Sequence, residues 1–362
     1  MTVLRSLCVV LALTLIWGAS PAQAQADQSA IAKAALTKVI RPGYAAFADA
    51  TTALDGRVQT LCDKPSAQAL DAAKKAFAEA VKTWSRVEIF RFGPVNRKRR
   101  YDRLFYWPDR KGIGLRQIQR ALAKKDPSVI LADTLADKSV ALQGLPALEY
   151  LLYGDGAEAL THAEPEIGFR CSFAASVATN IDRIAHDVTE GWREGADFTK
   201  TFLSPSPDDP LYHSPKDVTL ELFKAFTSGL ELVRDQKLGK PLGASPETAR
   251  PKLAAFWRSD LTFPNMVGNL EGVRVLFAKG GFADVVAEES PGVEDSILFD
   301  LDRVIKVLSA VDQPITEVVK DQAERDKLEA LRVALKSARE TASSMIARGA
   351  GLSFGFNALD GD

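Results

Sequence analysis

Apolar residues recur three and four positions apart along almost the whole chain, the spacing of one helical face. Between positions 28 and 62 they fall at Ile31, Leu36, Val39, Ile40, Tyr44, Phe47, Leu54, Val58 and Leu61, which predicts an amphipathic helix kinked early at Pro42-Gly43. Ser66 suits an N-cap, and the Ala/Leu/Lys run behind it predicts a second long helix through Val87. Its far end delivers Trp84, Glu88 and Arg91 into the break at Gly93-Pro94. Residues 95–116 read as irregular, long for a loop and rich in Arg and aromatics. Short helices near 114–123 and 127–133 lead to the run 144–154. There Pro146, with no N–H to lose, suits the first turn of a helix ending at Tyr153, with Gly154 as its stop. Residues 172–194 predict another amphipathic helix carrying Trp192 near its end.

A Pro/Ser/Asp-rich stretch from Leu203 to Pro215 interrupts the pattern and predicts the main boundary. The chain then starts over: a long helix over 218–238, a Gly/Pro/Ser turn at 239–246, and a helix over 247–257 ending in Trp257-Arg258-Ser259. The first half runs through the same series and ends it in Trp84-Ser85-Arg86. Helices near 293–311 and 316–347 close the second half. The expected fold is all-α, with two antiparallel four-helix-bundle-like domains, 27–202 and 216–355, related by internal duplication.

Composition adds an export signal. Residues 1–24 hold one basic residue, Arg5, an apolar run from Val9 to Trp17, and the small-residue site Ala22-Gln23-Ala24, the pattern of a cleavable secretory signal peptide. The apolar run is too short for a permanent anchor. Cys8 lacks small residues ahead of it, so no lipid attachment is expected, and the periplasm is the expected compartment. Cys62 and Cys171 then remain as the only cysteines. An oxidising compartment permits them to form a disulfide; two unrelated buried thiols are the alternative. A formal net charge of −1 gives no support to nucleic-acid binding. The three histidines, His162, His186 and His213, are far apart and make a histidine-rich metal site improbable, while an all-carboxylate site stays open.

The run Gly144-Leu-Pro146-Ala-Leu-Glu149 resembles the Gly-x-His-x-x-Glu signature of imelysin-type proteins with Pro146 where the histidine stands. Trp84-Ser-Arg86-Val-Glu88-Ile-Phe-Arg91, the turn Tyr106-Trp107-Pro108-Asp109, Phe169-Arg170-Cys171, Trp257-Arg258-Ser259 and Asn269-Leu270 resemble further blocks of that family in the same order. The resemblance covers most of the chain. It implies an all-helical periplasmic protein, often associated with iron uptake, with two bundles and a candidate site near their junction. In the family pattern His and Glu, three residues apart on one helical face, can hold one metal ion together. Here only the glutamate stands, so the resemblance argues for the fold and against the chemistry.

Glu149, near a helix start among leucines, needs a positive or hydrogen-bonding neighbour. Arg86, Arg91 and Arg170 are the expected partners, with Glu88 sharing a face with Arg91. Two readings follow: a buried polar network tying helices together, or a ligand cleft at Gly144, Pro146 and Glu149 in which Glu149 and Glu88 offer oxygens and the arginines grip an anion or a chelated metal. Glu149 is the one candidate metal ligand, for iron or another divalent ion. The basic run Arg97-Lys98-Arg99-Arg100, with Arg103, Arg110, Lys111 and Arg116, suits either a solvated loop tied to Asp102 and Asp109 or an anionic surface or ligand. No Gly-x-Ser-x-Gly or His-Glu-x-x-His occurs. The expected function is a non-enzymatic binding or accessory component of iron uptake, acting as a monomer beside an uptake or outer-membrane component. The alternative is a metallopeptidase rebuilt around carboxylates, although hydrolytic zinc ordinarily needs three protein ligands.

Overall fold

The computed structural model describes residues 27–162 and 165–352; the expected signal, 1–24, and positions 353–355 of the expected second domain lie outside them. The described chain is all helix and turn, without strands. In order the α-helices are α1 (Gln28–Ala35), α2 (Arg41–Asp63), α3 (Ala67–Val87), α4 (Arg100–Leu104), α5 (Ile113–Lys124), α6 (Ala132–Ala136), α7 (Gly144–Tyr153) and α8 (Pro165–Gly191). They continue with α9 (Asp197–Leu203), α10 (Pro215–Glu231), α11 (Lys240–Leu242), α12 (Thr262–Lys279), α13 (Phe282–Glu289), α14 (Val293–Ser309), α15 (Ile315–Val318) and α16 (Gln322–Gly349).

Local chemistry explains most boundaries. The Ser66 side chain accepts from the Ala69 amide and starts α3, and Pro42 lies in the first turn of α2. Just before Pro42-Gly43, where a kink is expected, the helix runs through a π-helical turn over Leu36–Ile40. A longer π segment, Leu232–Gly239, joins α10 to α11. The stretch 95–116 is less irregular than expected, containing α4 and the start of α5. The helix at 172–194 begins earlier, at Pro165.

One expected helix is absent. Residues 247–257 form two short 3-10 turns and then a tight turn in which Phe256 and Asp260 adopt positive φ. Pro251, the fifth position of the expected helix, removes an interior amide donor and its ring clashes with the preceding turn, which a helix there could not spare. The Trp257-Arg258-Ser259 run therefore sits in a turn, whereas Trp84-Ser85-Arg86 sits in a helix. Conversely α12, not among the expected helices, is a principal one, with Phe263, Met266, Leu270, Val273 and Phe277 buried three and four positions apart.

Helices α2, α3, α7 and α8 pack together, as do α10, α12, α14 and α16, and α12 lies along α3 to join the two groups. The buried apolar side chains form one continuous cluster through both. Gly268 and Gly272 make the α3–α12 seam close. A Cβ on Gly272 would stand 2.2 Å from the Arg86 carbonyl oxygen, and one on Gly268 would stand 2.6 Å from Ser85 Cβ. Their four-residue spacing puts both on one face. Cys62, at the end of α2, is joined to Cys171 of α8 by a disulfide with Cα atoms 5.5 Å apart. A link closing a loop of that length contributes about 4–5 kcal/mol in the chain-entropy picture.

Candidate functional site

The helix carrying the six-residue run begins where Gly144 takes φ +75°, and a Cβ there would lie 2.3 Å from the Leu104 carbonyl oxygen. Only glycine meets both demands. Pro146 occupies the first turn of α7, half-buried, and Gly154 ends it. Leu145, Leu148, Leu151 and Leu152 are sealed from solvent, and Glu149 among them is 3 % exposed.

Such a carboxylate must be hydrogen-bonded. Its Oε1 accepts from the Arg258 amide at 3.0 Å, the Ser259 amide at 3.0 Å and the Ser259 hydroxyl at 2.9 Å. The positive φ angles at Phe256 and Asp260 fold the backbone so that both amides converge on one oxygen. Burial pushes the Glu149 carboxyl above its usual value, and the donors from Ser259 and Arg258 oppose this. The motif helix is thereby clamped to a turn from the second half of the chain.

None of the expected arginines donates to Glu149. Arg170 donates to the carbonyls of Leu151 at 2.9 Å, Tyr150 at 2.8 Å and Asp155 at 2.7 Å, satisfying the carbonyls left over at the end of α7. Arg86 pairs with Glu271 at 2.7 Å. Arg91 lies over the Tyr101 ring at 4.7 Å and borders a separate depression with Ser228 and Asp235. The cluster drawn from sequence is thus divided. The residues that replace it, Arg258 and Ser259, stood in one of the quoted sequence blocks, but nothing in their spacing tied them to Glu149.

Glu88 belongs to a second centre. It is wholly buried at the end of α3, and its Oε2 accepts from Lys237 Nζ at 2.6 Å and Asn269 Nδ2 at 3.0 Å. Lys237 also donates to Asn265 Oδ1 at 2.6 Å and sits 5.3 and 5.7 Å from the ring centroids of Phe105 and Trp107. Burial brings the Lys237 ammonium down to about 8, with Glu88 opposing the fall. Among the described residues Glu88 Oε1 and Asn269 Oδ1 have no hydrogen-bond partner. The π segment presents Lys237 inward and the α12 glycines admit Asn265 and Asn269; neither signal was visible in apolar spacing.

Phe105 and Trp107 also line a cavity of about 200 Å³ beside Glu149, with Tyr106, Tyr150, Phe256 and Trp257 as further aromatic wall. Phe105 stacks on Phe256 at 5.3 Å, and Trp107 Nε1 donates to the Leu253 carbonyl. Asp109 lines the cavity but is spent on the α5 start, accepting from the amides of Ile113, Gly114 and Leu115. It makes no salt bridge to the basic run, in contrast to the expectation. Arg99 pairs with Asp102, Arg100 with Asp187, and Arg103 donates to Gln143 and Asn180.

A metal does not fit the donor set. Among the described residues no three His, Cys, Asp or Glu side chains come together as a possible ligand group. Glu149 Oε1 is already filled by three protein donors. His186 contacts Thr52 and Asp182, and His213 contacts the Pro207 carbonyl, so neither supplies a ligand there.

Comparison with known proteins places these features in context. The imelysin (peptidase M75) family model matches residues 40–342. Iron-regulated protein A of Synechococcus elongatus is 25 % identical over 257 residues, covering 70 % of this chain; the chain spans 65 % of that relative's length, just under two thirds. Two crystal structures share the fold. An imelysin-like protein of Psychrobacter arcticum 273-4 superposes with a TM-score of 0.73 at 17 % identity, covering 91 % of this chain and 97 % of the other. A proposed iron-regulated protein A precursor of Parabacteroides distasonis gives 0.74 at 16 %, with the same coverage. No described helix is long and apolar enough to cross a membrane.

Proposed function

The chain belongs to the imelysin family, and from that premise we propose that it is an exported, non-hydrolytic binding or accessory protein of iron uptake that holds a small ligand in the cavity beside Glu149. The observation that carries the reading is the saturation of Glu149 Oε1 by Arg258 and Ser259. A hydrolytic zinc centre takes three protein ligands and an open position for water. Here Pro146 stands where the family histidine would be, the remaining acid is bound to backbone, and among the described residues no three His, Cys, Asp or Glu side chains come together as a ligand group.

What the arrangement can do instead is recognise shape and charge. A concave, aromatic-walled space with a few directed polar groups is the usual form of a small-molecule site. It is bordered by residues from 105–118, 141–150 and 252–258, so its walls come from both halves of the chain. On this reading residues 27–202 and 216–355 are two domains, and the Glu149 clamp keeps their walls in register. The iron link comes from the name of the Synechococcus relative, and an uptake component at the outer membrane is the proposed partner.

The test is a peptidase assay of the mature chain on unfolded protein substrates with and without chelator. We expect no chelator-sensitive cleavage. Cleavage abolished by chelator and by Glu149→Gln would overturn the reading in favour of a carboxylate-built peptidase.

A further inference from the structure

We propose that the cavity beside Glu149 takes a one-ring hydroxyaromatic carboxylate, its ring between the aromatic walls, its carboxylate on Arg258 and Lys252, and its hydroxyl donating to Glu149 Oε2. The inference rests on the binding reading above and narrows it to a ligand class.

Size sets the first limit. The cavity measures about 200 Å³, and a dry protein cavity of about 150 Å³ already admits benzene. One substituted ring therefore fits. The walls favour a ring as well, since aromatic pairs gain from offset and edge contacts beyond the area they bury.

Charge sets the second limit. Four ionisable side chains of opposite sign line the space, Asp109, Glu149, Lys252 and Arg258, and their formal charges cancel. Their partners differ. Both Asp109 oxygens accept from backbone amides, and Glu149 Oε1 accepts three donors. Lys252 and Arg258 form no salt bridge among the described residues; they rest on rings instead. Arg258 lies 4.4 Å from the Trp257 centroid and 5.4 Å from that of Tyr150, and Lys252 lies 5.4 Å from Trp257. The rings of Trp257 and Tyr150 already carry protein cations. An incoming ammonium meets Arg258 and Lys252, while an incoming carboxylate finds a planar guanidinium suited to two parallel hydrogen bonds.

The third limit is the one acceptor left over. Glu149 Oε2 has no donor among the described residues, and Glu149 lines the cavity. A phenolic hydroxyl supplies that donor and a plain benzoate does not.

Trp107 and Trp257 give the assay its signal. The mature chain is titrated by tryptophan fluorescence with 4-hydroxybenzoate, 4-hydroxybenzyl alcohol and 4-hydroxybenzylamine. The acid should saturate and bind about tenfold tighter than the alcohol, with the amine weakest. Arg258→Gln should erase the preference for the acid. This change keeps the backbone amide that bonds Glu149, and equal thermal unfolding checks the fold; exposed Lys252→Gln, expected to reduce the preference, serves if Arg258→Gln does not fold. Amine or alcohol binding as tight as the acid overturns the ligand class and leaves the cavity reading standing. No saturable change with any of the three probes overturns both.

Discussion

Replacing Lys237 by Met should cost far more than replacing both Lys237 and Glu88. The ion pair has 1 % and 0 % side-chain exposure at 2.6 Å. Two unit charges at that separation attract by about 6 kcal/mol at an effective dielectric of 20. Burying both charges costs several kcal/mol per ion, so the intact pair contributes little net stability. Lys237→Met leaves the Glu88 carboxylate sealed in the α3–α12 seam with the amides of Asn265 and Asn269 as its remaining donors. Breaking a buried pair in this way costs about 3–5 kcal/mol, a large share of the stability of a typical domain. Adding Glu88→Gln removes the stranded charge and keeps an acceptor for Asn269, so the double variant should recover most of the loss. Urea unfolding at pH 7 of the wild type, both singles and the double gives the coupling energy. Additive losses, with the double variant less stable than Lys237→Met, would refute the reasoning.

Other outcomes follow from the same contacts. Because the folded-state value for Lys237 lies near 8, below its ordinary 10.5, the unfolded chain binds more protons between those values. Wild-type stability relative to the Glu88→Gln/Lys237→Met variant should therefore rise as pH increases above 8, as read by thermal unfolding at constant ionic strength. Glu149 shifts the other way: its folded value is raised above 4.5. The native state then binds the extra proton, and stability relative to Glu149→Gln should fall as pH rises from 4.5 through the raised value. Gly272→Val, which places side-chain atoms against the Arg86 carbonyl oxygen, should destabilise by about 2 kcal/mol or more in urea unfolding. Reducing Cys62–Cys171 should cost up to about 5 kcal/mol.

The parts of the fold that could be read from sequence were those where local chemistry and apolar period agree. Ser66 and the run behind it gave α3, and Pro146 with Gly154 bracketed α7. Helix α12 does carry an apolar stripe at helical spacing, Phe263, Met266, Leu270, Val273 and Phe277; what that spacing does not show is the second buried face of Asn265, Gly268, Asn269 and Gly272. Those residues are chosen by the close seam and the polar centre, which are properties of the assembled fold. Residues 247–257 misled in the opposite sense, since Leu253, Ala254, Ala255 and Phe256 suit a helix that Pro251 in its interior disrupts. Glu149 was identifiable as a buried acid needing donors. Its donors were not, because backbone amides carry no sequence signature and a turn 109 positions away supplies them. The arginines expected from the family-like blocks serve other ends, Arg170 on carbonyls and Arg86 on Glu271.

The account turns on Glu149 being a hydrogen-bonded anchor and not a metal ligand. Anomalous diffraction from crystals grown with excess zinc, and separately with iron, tests this most directly. The account predicts no anomalous peak at Glu149, with Oε1 still about 3.0 Å from the amides of Arg258 and Ser259. A peak within coordination distance of the Glu149 carboxylate, with those two bonds broken, would contradict it.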